Sequence, residues 1–397
     1  MRSGTGWSAH VRALSFANID SVLITAAILA IFVYGLIAPM LGALMPSYHL
    51  TDEQNGVLGL AQAAGLVIAT LSAGPVIDLR GNKSALLFGL FLVAAALFGA
   101  PNAGGYKGLL VVYFVLGLGG GIVVTGANSL AGLLSPESRG SALNFLNLFF
   151  GLGGILTTWA ASYLFAPLPL CYAIAGLTLV ALLVNALAKM PRPAGEVAFR
   201  PSEIPVLLTS APLLLLSIFM FLYVACEVGV WNWLKIYLIS TGMSAQRAGG
   251  VVSYGFALGI LVGRVVVSRA LTSVKGMSVL TASGVMISIT TFAVLQPIGP
   301  TGLTVAVFCA GLAMAPVFPT ALATTADITP RGTATALGIV ITFGWMGLAV
   351  SSSIIGKVSA TSSLQQALLL LPAFGVAMVL ASVVLRLFSQ RPRSVTA

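Results

Sequence analysis

The chain has 397 residues, of which 58% are hydrophobic and only 7% are charged, and its mean hydropathy is +1.05. Soluble domains carry about 25% charged residues to cover their surface, so this composition excludes a soluble enzyme, a DNA-binding protein and a disordered protein. Charged residues, Pro or Gly interrupt the apolar runs at spacings that suit spanning helices of about 20 residues, rather than the short alternating strands of a membrane barrel. The chain is therefore predicted to be an all-α integral membrane protein.

Two groups of six apolar segments are separated by a polar stretch. The first group predicts helices near 20–45, 57–77, 84–101, 107–133, 139–165 and 168–189. The second group predicts helices near 208–239, 247–270, 277–297, 301–326, 331–355 and 364–388. The stretch between them, 189–205, holds four prolines and five charged residues, which is typical of a linker. We therefore predict a six-helix bundle over 1–188, a cytoplasmic linker over 189–206 and a second six-helix bundle over 207–397.

The distribution of basic residues among the loops predicts the orientation of the chain. With both termini in the cytoplasm, 15 of the 19 Lys and Arg residues fall on the cytoplasmic side, Arg264 among them. Lys235 is one of the four on the outer side, where it is expected to reach water from the end of helix 7. Because cytoplasmic loops carry the excess of basic residues, we expect a multi-pass protein of the inner membrane with both termini in the cytoplasm. The first twenty residues lack an apolar core with a cleavage pattern, so we expect this end to be retained.

The two groups of helices repeat a short pattern at their cytoplasmic ends. The segment 74–80 ends helix 2, and the segment 263–269, which also begins with Gly and ends with Arg, ends helix 8, 189 positions later. Arg139 after helix 4 and Arg331 after helix 10 are 192 positions apart. Two nearly equal offsets indicate an internal repeat. In transporters built from such repeats the solute site lies near the midplane, between the halves.

The segment Gly74-Pro-Val-Ile-Asp78-Leu-Arg80-Gly-Asn-Lys83 resembles the signature between helices 2 and 3 of the major facilitator superfamily. The resemblance implies twelve transmembrane helices in two pseudo-symmetric six-helix bundles. It also implies a gating role for Asp78 and Arg80, with Arg139 and Arg331 in the matching loops, as a breakable latch that holds the cytoplasmic side closed. The alternative is a loop that only sets topology and carries a solvated ion pair, because surface ion pairs are weak.

Helix 7 carries a narrower resemblance. The stretch Phe221-Leu-Tyr-Val-Ala-Cys-Glu227-Val-Gly-Val-Trp-Asn-Trp-Leu234 is similar to helix 7 of the fucose and glucose permease branch, which contains sugar:proton symporters. Segments 125–128 and 316–320 also resemble that branch. The chain lacks the carboxylates that its proton-coupled members carry in helices 1 and 4, with Val124 at the helix 4 position. It also lacks the Gly-Pro signature that drug exporters carry in helix 5.

Glu227 is the one acid that falls inside a predicted helix, away from its ends. An ionised carboxylate in hydrocarbon costs several kcal/mol unless it is paired or hydrated. We therefore expect Glu227 to face a central cavity, about 6 Å outward from the midplane. The alternative is that it pins helix 7 to a neighbouring helix. Without the two further carboxylates the sequence favours a facilitator, in which Glu227 is first a substrate contact and only second the site of proton coupling.

Groups suited to a neutral polyhydroxylated solute accompany Glu227. Amides donate and accept hydrogen bonds, and aromatic rings offer flat apolar faces. The predicted substrate-binding residues are Glu227, Asn128, Asn144, Asn147, Trp231, Asn232, Tyr34, Tyr223 and Trp345. An aromatic residue in a membrane helix also serves as packing or as an interface anchor, which is the alternative for each of these rings.

The favoured function is a secondary transporter of a small neutral solute, a monosaccharide above all, that works by alternating access and is either facilitated or proton-coupled. The alternatives are an exporter of amphipathic compounds and a receptor that keeps the fold without transport. No enzyme is predicted, because His10 and His49 lie outside the helices and no nucleotide-binding motif occurs. Cys171, Cys226 and Cys309 lie in apolar stretches without the spacing of a metal site. We expect a monomer in the lipid bilayer with a small-molecule substrate and no cofactor, metal or nucleic acid.

Overall fold

The structure, a computed structural model, describes residues 21–134, 139–190, 209–270, 276–329 and 333–389. Within these ranges, twelve helices are long and apolar enough to cross a membrane. The backbone hydrogen bonds of a helix are satisfied within the segment, which is why an apolar chain spans a bilayer in this form. The predicted number of membrane helices is confirmed.

The helices fall into two sets of six. The first set comprises α1 (Ser21–Ile37, continued by Met40–Tyr48), α2 and α3 (the two parts of Asp52–Gly99, which meet at Gly81), α4 (Tyr106–Leu134), α5 (Arg139–Tyr163) and α6 (Pro167–Leu187). The second set comprises α7 (Ala211–Ser240), α8 (Ala245–Gly250, Val251–Ala257 and Leu258–Ala270 in succession), α9 (Gly276–Val294), α10 (Gly299–Met314, continued by Val317–Ile328), α11 (Thr333–Thr361) and α12 (Leu364–Leu368 and Leu370–Ser389).

Helix α2 begins earlier than its apolar run predicts, at Asp52 rather than near residue 57. The side chain of Thr51 accepts a hydrogen bond from the backbone of Gln54, and the side chain of Gln54 accepts one from the backbone of Thr51. This reciprocal capping satisfies N–H groups that an open helix end leaves without partners. Asp52 and Glu53 therefore lie in the first helical turn, where the positive end of the helix dipole stabilises them, and not in an outer loop.

The α2–α3 connection turns at a single residue. Gly81 has a φ of 80° and a ψ of 161°, whereas the backbone on either side of it is helical. That conformation is open to glycine and strained for any residue with a Cβ. The short connection predicted by the segment 74–83 is therefore built around Gly81.

The same crossing of helices occurs once in each set. Gly65 of α2 packs against the α4 backbone at Phe114, and Gly117 of α4 packs against α2. Gly259 of α8 packs in the same way against the α10 backbone, and Gly311 of α10 packs against α8. Each second-set glycine lies 194 positions after its first-set equivalent. The two equivalent contacts show that the internal repeat is also present in the structure. The domain boundaries themselves stay a prediction, since 191–208 lie outside the described residues.

Among the described residues, the two sets meet most extensively where α1 contacts α7, α2 contacts α11 and α5 contacts α8. The α2–α11 contact is formed by Asp52, Gly56, Ser352, Gly356 and Ser359. The hydroxyl of Ser359 donates a hydrogen bond to the Asp52 carboxylate, and a Cβ added at Gly56 would come within 2.6 Å of the Ser352 carbonyl oxygen. The halves therefore touch backbone to backbone at this end of the molecule.

Lys235 belongs to the same end, and its predicted position in water is wrong. The side chain is buried, and its ammonium group donates a hydrogen bond to the Ala43 carbonyl oxygen of α1 at 3.0 Å. A cation that has left water is stabilised by such a bond to a carbonyl oxygen. Lys235 therefore links α7 to α1 across the boundary between the halves.

Candidate functional site

A cavity lies between the two halves, near the middle of the membrane helices. Its empty volume is about 910 Å³, which includes its opening, and it is lined by α1, α2, α4 and α5 of the first set and by α7, α8, α10 and α11 of the second. Four helices from each half contribute to it, as expected for a site between two repeats.

The predicted substrate-binding residues come together in this cavity. Eight of the nine line it: Tyr34, Asn128, Asn147, Tyr223, Glu227, Trp231, Asn232 and Trp345. The side chain of Asn144, the ninth, lies outside the described residues. Whether these residues bind a substrate stays a prediction, but their common position makes that role possible.

Glu227 lies closer to the middle of its helix than predicted, because α7 runs from Ala211 to Ser240 and its midpoint falls between Ala225 and Cys226. The Glu227 side chain is half-buried, and the accessible part faces the cavity. Tyr223, one helical turn earlier, and Arg264 of α8 both face its carboxyl group. The indole N–H of Trp231 also faces that carboxyl group but does not reach hydrogen-bond geometry.

Arg264 lines the cavity, so its predicted place among the basic residues of the cytoplasmic side is wrong. Its Nη1 donates a hydrogen bond to the Asn147 backbone oxygen of α5 at 2.6 Å. Its guanidinium carbon lies 5.0 Å from the centre of the Phe150 ring, in a cation–π contact. The buried Nε has no protein partner among the described residues. The predicted extent of helix 8, to residue 270, could have indicated this position. Six helical residues between Arg264 and that end place it about 9 Å inside the helix.

The segment of α8 that precedes Arg264 is not α-helical. Residues Val251–Ala257 form π-helical turns, in which the backbone is wider than in an α-helix. Such turns are rare and are frequently found at functional sites. Because each of these turns contains more residues than an α-helical turn, they change the direction in which the following residues, including Arg264, point from the helix axis.

Aromatic rings make up one wall of the cavity. Tyr34 of α1 lies 5.4 Å from Phe150 of α5 and 6.4 Å from Trp345 of α11, measured between ring centres. Trp231 packs edge-on against Phe256 at 4.9 Å. The neighbouring Trp233 is fully buried and does not line the cavity, so its ring is part of the packing.

Several N–H groups of cavity residues are buried without a protein acceptor. Among the described residues they include Nδ2 of Asn232, Nε1 of Trp345 and Nε of Arg264. The Asn128 amide instead donates to the Val124 carbonyl oxygen in its own helix at 2.8 Å. Because an unpaired buried donor costs about 1–3 kcal/mol, these groups favour a ligand rich in acceptor oxygens.

The predicted gating residues are not brought together by the described part of the structure. Arg80 is exposed near the α2–α3 turn. The side chains of Asp78 and Arg139, and the whole of Arg331, lie outside the described residues. The cytoplasmic latch therefore stays a prediction.

The sequence profile of the Major Facilitator Superfamily matches residues 23–352. The chain belongs to that superfamily. Membrane protein MosC of Rhizobium meliloti is 26% identical over 388 residues, which are 94% of this chain and 91% of MosC. A TsgA homologue of Erwinia tasmaniensis is 27% identical over 196 residues, and this match spans about half of each protein, 48% of this chain and 50% of the relative.

Solved transporters share the fold. The E. coli fucose:proton symporter FucP has a TM-score of 0.68 at 19% identity, covering 92% of this chain and 99% of FucP. A D-xylose-proton symporter has a TM-score of 0.77 at 13% identity, covering 92% of this chain and 96% of that one. The nucleoside transporter NupG has a TM-score of 0.76 at 15% identity, covering 92% and 98%. The predicted fold class, twelve membrane helices in two pseudo-symmetric bundles, is confirmed, and the chain is a multi-pass membrane transporter rather than an enzyme.

Proposed function

We propose that this transporter moves a small hydroxylated solute, of the size of a monosaccharide, by alternating access. The observation that carries the proposal is the cavity between the halves, where Glu227, Asn232 and the cavity aromatics face one space. Sugar-like solutes present hydroxyl groups at their edges and apolar C–H faces, so they need both polar partners and flat rings. The likeness in fold to the fucose and xylose symporters supports the same class of solute.

The proposed setting is the inner membrane, with both termini in the cytoplasm. Without Arg264 and Lys235, which lie within the helices, 14 of the other 17 basic residues fall on the cytoplasmic side, and this supports the orientation. In that orientation the α2–α11 contact lies on the outer side. The cavity is then separated from the outside by that contact and by the Lys235 link.

Uptake into proteoliposomes tests the proposal. Purified protein should catalyse counterflow of a labelled solute from a panel of hexoses, pentoses, nucleosides, sugar acids and amphipathic dyes. Transport of a sugar or sugar acid supports the proposal. Transport of dyes alone would assign the protein to the exporters of amphipathic compounds, and binding without counterflow would make it a receptor.

Replacing Trp345 by Phe should weaken solute binding about fivefold. The variant keeps an aromatic ring, smaller than the indole, and removes the Nε1–H, which has no protein acceptor among the described residues. One hydrogen bond is worth about 1 kcal/mol. Trp233→Phe is the matched control, because its buried Nε1–H also lacks a protein acceptor but the ring does not line the cavity. Binding constants and melting temperatures should be measured for both variants. An equal loss of affinity in the two would contradict a contact between Trp345 and the solute.

Replacing Asp78 by Asn should reduce flux while solute binding persists. The carboxylate is predicted to make its contacts mainly when the cytoplasmic side is shut, so its neutralisation shifts the population toward the state that is open inward. A cysteine introduced on the cytoplasmic side reacts faster with a thiol reagent when that side is open, so its rate of labelling measures this population. Unchanged labelling in the Asp78→Asn protein would remove the support for a latch at Asp78, Arg139 and Arg331.

A further inference from the structure

Two charged side chains line the cavity among the described residues, and they carry opposite signs. Glu227 comes from α7 and Arg264 from α8, and each is half-buried with its accessible part in the cavity. They attract one another across the cavity without forming a direct ion pair. Because both side chains line one cavity, a single solute can contact both of them.

We propose that the solute carries a carboxylate, which binds Arg264, and that Glu227 holds one proton while this solute crosses the membrane. The inference deepens the proposed function and rests on it. The solute class becomes the sugar acids, such as aldonates and uronates, in place of the neutral sugars that the sequence alone favours.

The free edge of Arg264 supports the carboxylate. A guanidinium group binds a carboxylate through two parallel N–H bonds from one edge. Nη1 is already bound to the Asn147 carbonyl oxygen, and the contact with Phe150 covers one face of the group. The edge formed by Nε and Nη2 is left, and Nε has no protein partner among the described residues. Asn232, which also lines the cavity, has a buried Nδ2 without a protein partner among the described residues.

The charge of the cavity supports the proton. With Glu227 ionised, the two side chains cancel, and a bound carboxylate would leave one excess negative charge within the membrane. Such a charge is costly unless it is neutralised. Protonation of the Glu227 carboxylate restores neutrality, with the proton taken from water on one side and released to water on the other.

Among the described residues, the groups that face Glu227 include no second cation to take that role. Tyr223 of α7, Tyr34 of α1 and Arg264 of α8 face it, whereas the thiol of the adjacent Cys226 points to the Leu371 carbonyl oxygen. Three of these four groups are neutral donors. One carboxylate and one proton therefore move together, and the coupled step transfers no net charge.

The experiment compares D-gluconate and D-glucuronate with D-glucose in proteoliposomes that contain the full-length protein. Uptake of a sugar acid should rise at least about tenfold when the outside is made acidic. It should not respond to a membrane potential set with potassium and valinomycin, because no net charge moves. Glucose should compete weakly or not at all.

Variants of Arg264 test the contact itself. Arg264→Gln should weaken sugar-acid binding about 10- to 100-fold, since it removes a charged hydrogen-bonding partner. Arg264→Lys should show an intermediate loss, because Lys keeps the charge but lacks a planar edge that forms two parallel hydrogen bonds with a carboxylate. Arg247→Gln removes the same charge at an exposed position on α8 and should leave transport unchanged.

Each outcome either supports or overturns the inference, and the measurements on the wild-type protein do so even if a variant fails to fold. Transport of glucose with no transport or competition by the sugar acids overturns this inference and leaves the proposed function in place. Transport of neither class, with no thermal stabilisation by either, overturns both. Sugar-acid uptake that depends on the membrane potential overturns the role of Glu227 as the proton site.

Discussion

Glu227→Gln protein should accumulate no solute against a gradient, whereas the wild-type protein should accumulate it when the outside is acidic. Glutamine keeps the approximate shape of the side chain and its hydrogen bonding but fixes it in the uncharged form. The proton can then neither bind nor leave, so the accumulation ratio should fall to one. Exchange of labelled for unlabelled solute should persist, because exchange requires no net release of the proton.

Glu53→Gln is the control for this experiment. It removes an exposed carboxylate from the first turn of α2, outside the cavity, and should leave accumulation unchanged. The contradicting result comes from the wild-type protein. If it moves solute only downhill and ignores an imposed pH gradient, it is a facilitator and Glu227 serves at most as a binding group.

Glu227 could be placed in the cavity from the sequence because its charge makes every other position in the membrane costly. The same argument applies to Arg264 and Lys235, yet Arg264 was counted on the cytoplasmic side and Lys235 was expected to reach water. The count of basic residues in alternate loops assigns every cation near a helix end to the adjacent loop, and it does not measure depth within the helix. Lys235 is buried because a carbonyl oxygen of another helix is close to it, and no local pattern contains that oxygen.

Some uncharged residues of the cavity carried no sequence signal. Gln62 and Phe150 line it, yet neither stands out in its segment. In a soluble protein the polar face of a helix shows which side faces inward. A membrane helix is apolar on the lipid side and on the packed side alike, so the direction of a residue such as Phe150 depends on its neighbours in the fold.

The fold itself could be predicted because it depends on quantities that the sequence carries along its length. The apolar segments fix the number of helices, and the repeated segments 74–80 and 263–269 indicate two similar halves. The glycine contacts that join α2 with α4 and α8 with α10 could not be placed in advance. They depend on which faces of two helices meet, although the 194-residue offset between them is present in the sequence.

Gly56→Leu protein should transport at least about tenfold more slowly than the wild type while it still binds solute. A Cβ at this position would lie 2.6 Å from the Ser352 carbonyl oxygen and 3.2 Å from the Gly356 Cα, so α2 and α11 could not come together. Inserting such bulk into a packed contact costs about 1–3 kcal/mol, and here that cost falls on the one state in which the α2–α11 contact is closed. The population therefore shifts toward the state open at this end.

Gly176→Leu is the matched control, because a Cβ at this position on α6 meets nothing within 4 Å. Both variants should be made in a protein whose native cysteines are replaced by Ala and in which Val228, a cavity residue, is changed to Cys. An impermeant thiol reagent added from the outer side should label this cysteine faster in the Gly56→Leu protein than in the control. Lost transport with unchanged labelling would show that the substitution harms folding rather than the closure of the α2–α11 contact, and faster labelling from the cytoplasmic side would reverse the proposed orientation.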